Sequence, residues 1–341
     1  MNFASQLPPD IADFVLSQFR TEYATVSGPG VPIDTPTLFF ASADQSTLDL
    51  MTGLAYPVKA ERARRNPKVG LLVEGGPDDP AVSIAGLATV RDSDFQANLD
   101  RYVAETIVTP VINPQTTDWN AVREAVWYLT RIMVSITPVH VRWWDKPADM
   151  DLAPKEWRAP AGLVVPPSDP APPGTLSEGA KWAQPAWADL ARKALGTGDP
   201  AHVTLVDAEG HPLPIRAREV SLREEGFDVV LPKALPWSAG KATLTFRGRE
   251  TFVGEIAVTD GRGVFHVERI LPVLPMTDDP KQVIHPTPET RAALMKRLEH
   301  ELARRGASFP VVPAVPPAPT EGALRRVRGW KGRADASAMV D

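Results

Sequence analysis

One stretch of the sequence, residues 48–73 (LDLMTGLAYPVKAERARRNPKVGLLV), restricts the fold more than any other part of the chain. A short apolar segment leads through a loop into a basic helical turn, and a second apolar segment follows Asn66-Pro67. The residue before a proline is pushed out of the α-helical conformation, so the helix cannot extend past Arg65. The stretch therefore predicts a strand, a loop, a short helix and another strand in succession.

The loop and helix of this stretch carry a threonine hydroxyl and four cations. These residues are Thr52, Lys59, Arg62, Arg64 and Arg65. A hydroxyl, free backbone N–H groups and fixed cations at a loop-to-helix junction can bind a phosphate monoester. A run of charges can also form a solvated helix face, which is its usual role. The residue types alone leave both interpretations open.

The order of these features resembles the flavin-binding split β-barrel superfamily of the pyridoxamine 5'-phosphate oxidases and their flavin- and deazaflavin-dependent relatives. The similarity in this stretch lies in the spacing of a threonine, a lysine and an Asn-Pro pair between two strands. Residues 24–40 are similar to the family's opening hairpin with its Gly-x-Pro turn. Residues 82–92 resemble its glycine-containing strand, and residues 136–144 resemble its closing strand.

The resemblance implies that FMN binds non-covalently in a cleft between two barrels. The cofactor-binding residues that it implies are Thr35, Thr37, Thr52, Lys59, Arg64, Arg65 and Trp144. Thr35 and Thr37 would face the flavin from the second strand. Lys59 would hold its phosphate together with Thr52 and with Arg64 or Arg65. Successive side chains of a strand alternate between its faces, so Trp143 and Trp144 cannot both face the core. One of them is therefore expected to line the cleft or cover the flavin ring.

Two positions depart from the pattern of the prototype oxidases. Val58 stands beside Lys59, where the prototypes carry an arginine, and Thr35 stands where they carry another. The first departure weakens the expected phosphate site. For this reason the resemblance does not carry the prototype's substrate over to this chain.

The pattern of the first part of the chain returns after residue 201. The matched positions are Gly30 and Gly210, Lys68 and Lys241, and Gly86 and Gly254. Internal similarity at this scale indicates a tandem duplication. Together with the family resemblance, it implies that one chain carries both barrels as an intrachain pseudo-dimer. The second copy is shorter in the phosphate loop and lacks the threonine, lysine and Asn-Pro arrangement, so one anion site is expected.

Proline-rich segments divide the chain into four parts. Residues 1–147 are predicted to form the FMN-binding split barrel, and residues 148–180 a proline-rich linker. Residues 181–306 would form the degenerate second barrel with its C-terminal helix, and residues 307–341 a proline-rich and basic tail. The expected fold is mainly β with peripheral helices.

Composition excludes several classes of function. The net charge of −5 argues against a nucleic-acid surface, because neutralising phosphates needs a basic face. The sequence has no cysteine, which removes disulfides, thiolate catalysis and Cys-ligated metals, and its histidines show no metal-binding spacing. No apolar run approaches the length of about 18 residues that spans a membrane. We therefore expect a soluble cytoplasmic protein with no nucleic-acid or membrane partner.

The function predicted from the sequence is an FMN-dependent oxidoreductase that acts on a small organic substrate by two-electron chemistry. No residue stands out as an acid or base, so no catalytic residue is assigned. One alternative is a deazaflavin-dependent reductase, whose longer acidic cofactor would use the arginines near Lys59 more extensively. Another is a non-catalytic flavin- or haem-binding protein, with His140, His211 or His266 as haem ligands. Whether the double barrel associates further stays open.

Overall fold

The computed structural model describes residues 2–177, 186–233, 239–246, 250–271 and 283–332. In this part of the chain antiparallel strands form two sheets of seven strands each. The strands of the first sheet are β1 (Arg20–Val26), β2 (Pro32–Ala41), β3 (Leu48–Gly53), β4 (Lys68–Glu74), β5 (Ala81–Arg91), β6 (Arg131–Trp144) and β7 (Lys155–Arg158). Those of the second are β8 (Ala201–Val206), β9 (Pro212–Arg216), β10 (Glu219–Arg223), β11 (Gly226–Val230), β12 (Ala239–Phe246), β13 (Thr251–Thr259) and β14 (Arg262–Ile270).

The first sheet closes on itself. Its strands follow the order β3-β2-β1-β4-β5-β6-β7, and β3 pairs with β6 as well as with β2. Strands β1 to β6 thus form a closed barrel, and β7 extends the sheet beside the end of β6. Half-buried and buried residues alternate along β6 from Arg131 to His140, as expected for a strand with one face on the core.

The second sheet repeats the strand order of the first barrel but stays open. Six strands of each sheet correspond in order. The order in the second sheet is β9-β8-β12-β13-β14-β11, and it matches β2-β1-β4-β5-β6-β3 of the first barrel. The β2–β3 pairing has no counterpart within the described residues, where β9 has 5 residues and β2 has 10. The predicted tandem split β-barrels are therefore confirmed, as one closed barrel and one half-barrel.

Residues matched by the duplication occupy the same places in both halves. Gly30 and Gly210 lie in the first hairpin turn of their halves with φ values of 80° and 86°, where a side chain would be strained. Gly86 of β5 and Gly254 of β13 each lie at a β-bulge against the following strand. A shared turn, strand order and bulge support descent of both halves from one barrel.

Helices lie around the sheets. They are α1 (Pro9–Leu16), α2 (Val58–Arg65), α3 (Phe95–Thr106), α4 (Trp119–Glu124), α5 (Val126–Leu129), α6 (Trp187–Gly196), α7 (Pro288–Arg305) and α8 (Glu321–Gly332). Thr287 caps α7 by accepting from the backbone of Thr290, and Gly306 ends it with φ 60°, as the sequence predicts. For α1 the sequence predicts Asp10 as the cap, but Pro8 occupies the N-cap and Asp10 lies in the first turn.

The helical spacing of Val122, Val126 and Leu129 predicts one helix over residues 119–133, and this prediction is wrong. The structure has two short helices there, α4 and α5, and then begins β6. The helix breaks at Ala125 (φ −87°, ψ 37°). Ile132 and Val134 are β-branched residues that pack on the core as β6 pairs with β3, so strand pairing overrides the helical spacing.

Residues 148–177, most of the predicted linker, lie against the first barrel. The carboxylate of Asp169 accepts hydrogen bonds from the two backbone N–H groups that follow β5, at 2.8 and 3.0 Å. Further along, the backbone N–H of Ser177 donates to Glu301 of α7 (2.7 Å). This part of the chain therefore follows the barrel surface to α7. The sequence also predicts a helix over residues 181–195, and its first part falls within residues 178–185, which lie outside the described residues.

The described part of the C-terminal tail ends in a helix on the first half. Arg326 of α8 is buried, and its Nη2 lies 2.5 Å from Glu105 Oε2. The Arg326 guanidinium also stands 4.9 Å from the ring centroid of Phe40. A Cβ added at Gly329 would lie 2.5 Å from the Cβ of Ser17, so α8 packs closely on the end of α1.

The two halves approach each other most closely between β4 and the β8–β9 hairpin. Lys68 Nζ donates to the backbone oxygen of Glu209 (2.6 Å). A Cβ added at Gly70 would lie 1.7 Å from the carbonyl oxygen of Pro212. Only glycine allows this approach of the two backbones, so the pseudo-dimer has a tightly packed interface.

Candidate phosphate site between the halves

Helix α2 has three faces with different neighbours, namely the barrel core, an ion-pair network and strand β1. Ala60 and Ala63 are buried in the barrel core. Arg64 pairs with a carboxylate at the end of β5 (2.8 Å), in a network that also holds α7. Lys59 and Arg62 share a third face, because residues three apart are neighbours on a helix. This third face lies toward β1, where Arg62 is hydrogen-bonded, and it forms one wall of the candidate site.

Lys59 is half-buried, and within the described residues its amine makes no hydrogen bond and no ion pair. Burial lowers the pKa of this amine to about 8, and the charges of Arg62 and Arg131 add to the effect. The carboxyl groups of Asp34 and Glu22 oppose the shift without cancelling it. A buried ammonium without a counter-ion is unfavourable, and a bound anion would remove that cost.

Arg62 faces cations from both halves of the chain. Its Nε donates to Thr25 Oγ1 of β1 (2.8 Å). Burial lowers the pKa of Arg62 to about 10, and the positive charges of Arg65 and of Arg269 on β14 contribute, against the opposing effect of the Tyr23 hydroxyl. Three arginines thus share the region between the halves, and an anion there would offset their repulsion.

Arg131 is held between two tyrosine rings at the start of β6. Its Cζ lies 4.3 Å from the ring centroid of Tyr102 and 4.2 Å from that of Tyr128. Its Nη2 donates to the Tyr102 hydroxyl (3.0 Å). Arg131 pairs across the sheet with Gly53, and a Cβ added there would lie 3.4 Å from Nη1. The guanidinium therefore stands beside the loop that joins β3 to Lys59.

Helix α7 covers this loop from outside. Arg297 Nε donates to the backbone oxygen of Ala55 (2.8 Å), and its Cζ lies 5.0 Å from the ring centroid of Tyr56. Leu294 and Leu298 anchor α7 in the barrel core. Burial lowers the pKa of Arg297. A helix that follows the second half in sequence thus adds another cation next to the loop.

Carboxyl groups surround a buried histidine at the boundary between the halves. His202 Nε2 lies 2.9 Å from Glu74 Oε2, and its Nδ1 lies 3.5 Å from Glu22 Oε1. Asp34 is fully buried next to them, and burial together with the nearby Glu22 raises its pKa well above the usual range. The charges of His202 and Lys59 oppose this shift without cancelling it.

The predicted threonines lie on strands beside these cations. Thr35 and Thr37 are half-buried on one face of β2, and Thr35 pairs across the sheet with Tyr23, which faces Arg62. The Oγ1 of Thr35 is buried and lacks a hydrogen-bond partner among the described residues. Thr52 Oγ1 has only a long contact, 3.5 Å, to the backbone of the loop. The hydroxyls of Thr35 and Thr52 are therefore available to a polar ligand, whereas Thr37 Oγ1 donates to the backbone oxygen of Leu38 (3.4 Å).

Two of the predicted phosphate ligands have other surroundings. Arg64 is turned away from Lys59 and is engaged by Asp92, Glu61 and the backbone of Asp169. Arg65 is exposed, and its charge reaches Arg62 across the surface of α2. The structure therefore places Arg64 in a buried ion-pair network behind the helix.

Trp143 and Trp144 point to opposite faces of β6, as strand geometry requires, yet both are buried. Trp143 belongs to the core of the first barrel. Trp144 packs with Leu213 and Ile215 of the second half, and its Nε1 donates to a backbone oxygen at 3.0 Å. Trp144 therefore lies where the two halves meet, and its contact with a flavin stays a prediction.

Arg131 and Arg297 are the residues of this region that sequence reasoning missed. Arg131 reaches the loop through the pairing of β6 with β3, and Arg297 reaches it through the return of α7. Neither lies within a local motif. The one available signal is that Arg131 begins an alternating apolar strand, and a charged residue at that place is commonly solvated.

The histidines considered as haem ligands differ in environment. His140 Nε2 lies 2.8 Å from Glu156, and burial lowers its pKa. Burial also lowers the pKa of His211, whereas His266 is exposed. Within the described ranges, no group of three or more His, Cys, Asp or Glu side chains could hold a metal ion. None of the described helices combines the length and apolar character needed to cross a membrane.

No protein-family model and no curated protein matches the chain. Solved structures similar to it include a conserved hypothetical protein from Mycobacterium tuberculosis, with 27% sequence identity, 41% of this chain and 84% of that chain covered, and a TM-score of 0.33. A pyridoxamine 5'-phosphate oxidase-related, FMN binding protein from Nostoc punctiforme has 15% identity, 37% and 73% coverage, and a TM-score of 0.27. The heme storage protein of Vibrio cholerae has 15% identity, 39% and 89% coverage, and a TM-score of 0.29.

Proposed function

We propose that the chain binds FMN between its two halves, with the phosphate against Lys59, and that it is a flavin-dependent oxidoreductase for a small organic substrate. The observation that carries this proposal is the half-buried ammonium of Lys59, which has no counter-ion in the described part of the chain. Lys59 lies in the first turn of α2, where unpaired backbone N–H groups and the helix dipole also favour an anion.

The surrounding residues suit a flavin phosphate ester. Thr52 lies near the end of β3, before the loop that leads to Lys59. The buried hydroxyl of Thr35, which has no partner among the described residues, supplies a donor or acceptor for a polar ring edge. Arg62 and Arg269 bring positive charge from both halves to the same region. Bound flavin would supply reversible two-electron transfer, while these residues bind and orient it and the second half shields it from water.

A deazaflavin coenzyme is the second candidate cofactor. The observation in its favour is the group of Arg62, Arg65 and Arg269, which extends the positive region beyond Lys59. One phosphate monoester needs fewer cations than this. A cofactor with a longer anionic tail would use the arginines along the boundary between the halves.

The test is a titration of the purified, cofactor-free protein with FMN, a deazaflavin coenzyme and haem, followed by visible absorbance and flavin fluorescence. We expect FMN to bind with one molecule per chain, because the second half lacks the threonine and lysine arrangement. Tighter binding of the deazaflavin would favour the second candidate. A Soret band with haem and no flavin bound would support the non-catalytic haem-binding alternative instead.

A further inference from the structure

Two cations without carboxylate partners lie beside one loop. Lys59 follows the loop that leaves Gly53, and the Nη1 of Arg131 lies against Gly53 itself. In the residues that the structure describes, neither side chain forms an ion pair. The positive charge of Arg131 helps to lower the pKa of Lys59, so the two cations repel each other. The barrel therefore holds two like charges near each other, and at Lys59 the carboxyl groups of Asp34 and Glu22 offset them only in part.

The surroundings of Arg131 fix its position but leave its charge uncompensated. The rings of Tyr102 and Tyr128 lie on either side of the guanidinium, and the Tyr102 hydroxyl accepts from Nη2. Tyr102 and Tyr128 are also joined through their hydroxyl groups at 3.1 Å. Cation–π contacts of this kind orient a guanidinium and stabilise it partly, but they supply no negative charge. A planar, oriented donor pair suits an oxyanion.

We propose that Arg131 is a second binding residue for the phosphate group, and that Lys59 and Arg131 together select a terminal phosphate monoester. A monoester carries a charge of about −1.5 to −2 at pH 7, close to the sum of these two cations. A phosphodiester carries a single negative charge and would leave one cation uncompensated. This inference rests on the proposed function for the flavin itself, but its charge argument applies to the phosphate alone.

The experiment compares FMN with riboflavin, which lacks the phosphate, in the full chain. The variants are Arg131→Gln, which removes the charge, and Arg131→Lys, which keeps the charge without the planar donors. Arg123→Gln is the matched control, because Arg123 is exposed on α4 and makes no hydrogen bond or ion pair within the described residues. Dissociation constants are measured by quenching of flavin fluorescence. Unfolding temperatures are measured in inorganic phosphate and in chloride at equal ionic strength.

We expect Arg131→Gln to weaken FMN binding at least about tenfold and to leave riboflavin binding within about twofold of the wild type. The FMN affinity of Arg131→Lys should lie between those of Arg131→Gln and the wild type. Arg123→Gln should bind both flavins as the wild type does. Unchanged riboflavin binding also shows that the variant folds. An unchanged preference for FMN over riboflavin in Arg131→Gln, or an equal loss for both flavins, would overturn the inference.

The phosphate measurement separates this inference from the proposed function. If the wild type binds neither flavin, the flavin assignment fails, and inorganic phosphate decides the role of Arg131. Phosphate should then raise the unfolding temperature of the wild type, and the rise should be smaller in Arg131→Gln. No rise in the wild type, or an equal rise in both proteins, would overturn the inference.

Discussion

Glu22 and His202 occupy the same position in the two halves and meet at the boundary between them, with Glu22 Oε1 3.5 Å from His202 Nδ1. In β1, Glu22 pairs with Leu72 of β4, and in β8, His202 pairs with Thr245 at the matching place of β12. In a symmetric dimer of identical barrels, a residue at this position would lie at the two-fold axis and contact the same residue of the other barrel. Duplication within one chain allowed the two copies to diverge into an acid and a base.

We predict a strong energetic coupling between Glu22 and His202. His202→Gln leaves the carboxylates of Glu22 and Glu74 buried without this partner, and removing one member of a buried pair costs about 3–5 kcal/mol. The free energy of unfolding should therefore fall by about 3 kcal/mol, measured by urea denaturation. The double variant Glu22→Gln/His202→Gln should lose less than the sum of the single losses, by about 1 kcal/mol or more. Additive losses would show that the two side chains do not interact.

The contribution of His202 should also depend on pH. Burial lowers the pKa of His202, but Glu22 and Glu74 outweigh burial, so the net shift is upward from 6.5. A raised pKa gives stability that is fully present below the unfolded value and is lost as pH rises through the folded value. The stability difference between the wild type and His202→Gln should therefore be fully present below about pH 6.5 and shrink as pH rises through the raised pKa of His202. Urea denaturation at several pH values would reveal a constant or growing difference if this assignment were incorrect.

Local patterns were enough to predict much of the fold. The Asn66-Pro67 break between two apolar strands, the turn glycines Gly30 and Gly210, and the capped helix that ends at Gly306 depend on neighbours in sequence. Each therefore leaves a signal in a short window. Lys59 was predicted as a phosphate ligand in the same way, from its place between a loop and a helix.

The rest of the site depends on contacts between distant segments. Arg131 begins β6 because that strand pairs with β3, and the helical spacing that ends at Leu129 gives no sign of the change. Arg297 reaches the loop only because α7 returns from the far end of the second half. Arg64 shares the charge of Lys59, yet it turns to Asp92, a carboxylate whose proximity no sequence spacing reveals.

Gly70 provides a test of the packed interface. A Cβ at Gly70 would meet the carbonyl oxygen of Pro212 at 1.7 Å, so Gly70→Ala must push the two halves apart. We expect a loss of at least about 2 kcal/mol in the free energy of unfolding, the range seen for overpacking. Gly196→Ala is the matched control, because nothing lies within 4 Å of the added Cβ there. It should be neutral or slightly stabilising. Equal stability of the two variants would contradict the described contact between halves.

Lys59 provides the most direct test of the phosphate site. Lys59→Ala removes a charge-assisted partner of the phosphate, so we expect FMN binding to weaken by at least about 1.5 kcal/mol. Lys59→Arg keeps the charge and should retain most of the affinity. Riboflavin should bind the wild type and both variants alike, which serves as the control for folding. An unchanged dissociation constant for FMN in Lys59→Ala would show that the phosphate lies elsewhere.

The pH dependence of FMN binding separates a direct role of Lys59 from a structural one. The pKa of Lys59 is about 8, mainly because the amine is buried, so the ammonium is present below that pH and is lost above it. The second ionisation of a phosphate ester lies near pH 6, and its charge is therefore nearly constant in this range. FMN affinity should decline as pH rises through about 8 in the wild type, while Lys59→Arg should show no decline because a guanidinium stays charged. The measurement is a fluorescence titration with FMN at several pH values across this range. If the affinities of the wild type and Lys59→Arg change with pH in the same way, Lys59 does not bind the phosphate, even if Lys59→Ala binds FMN weakly.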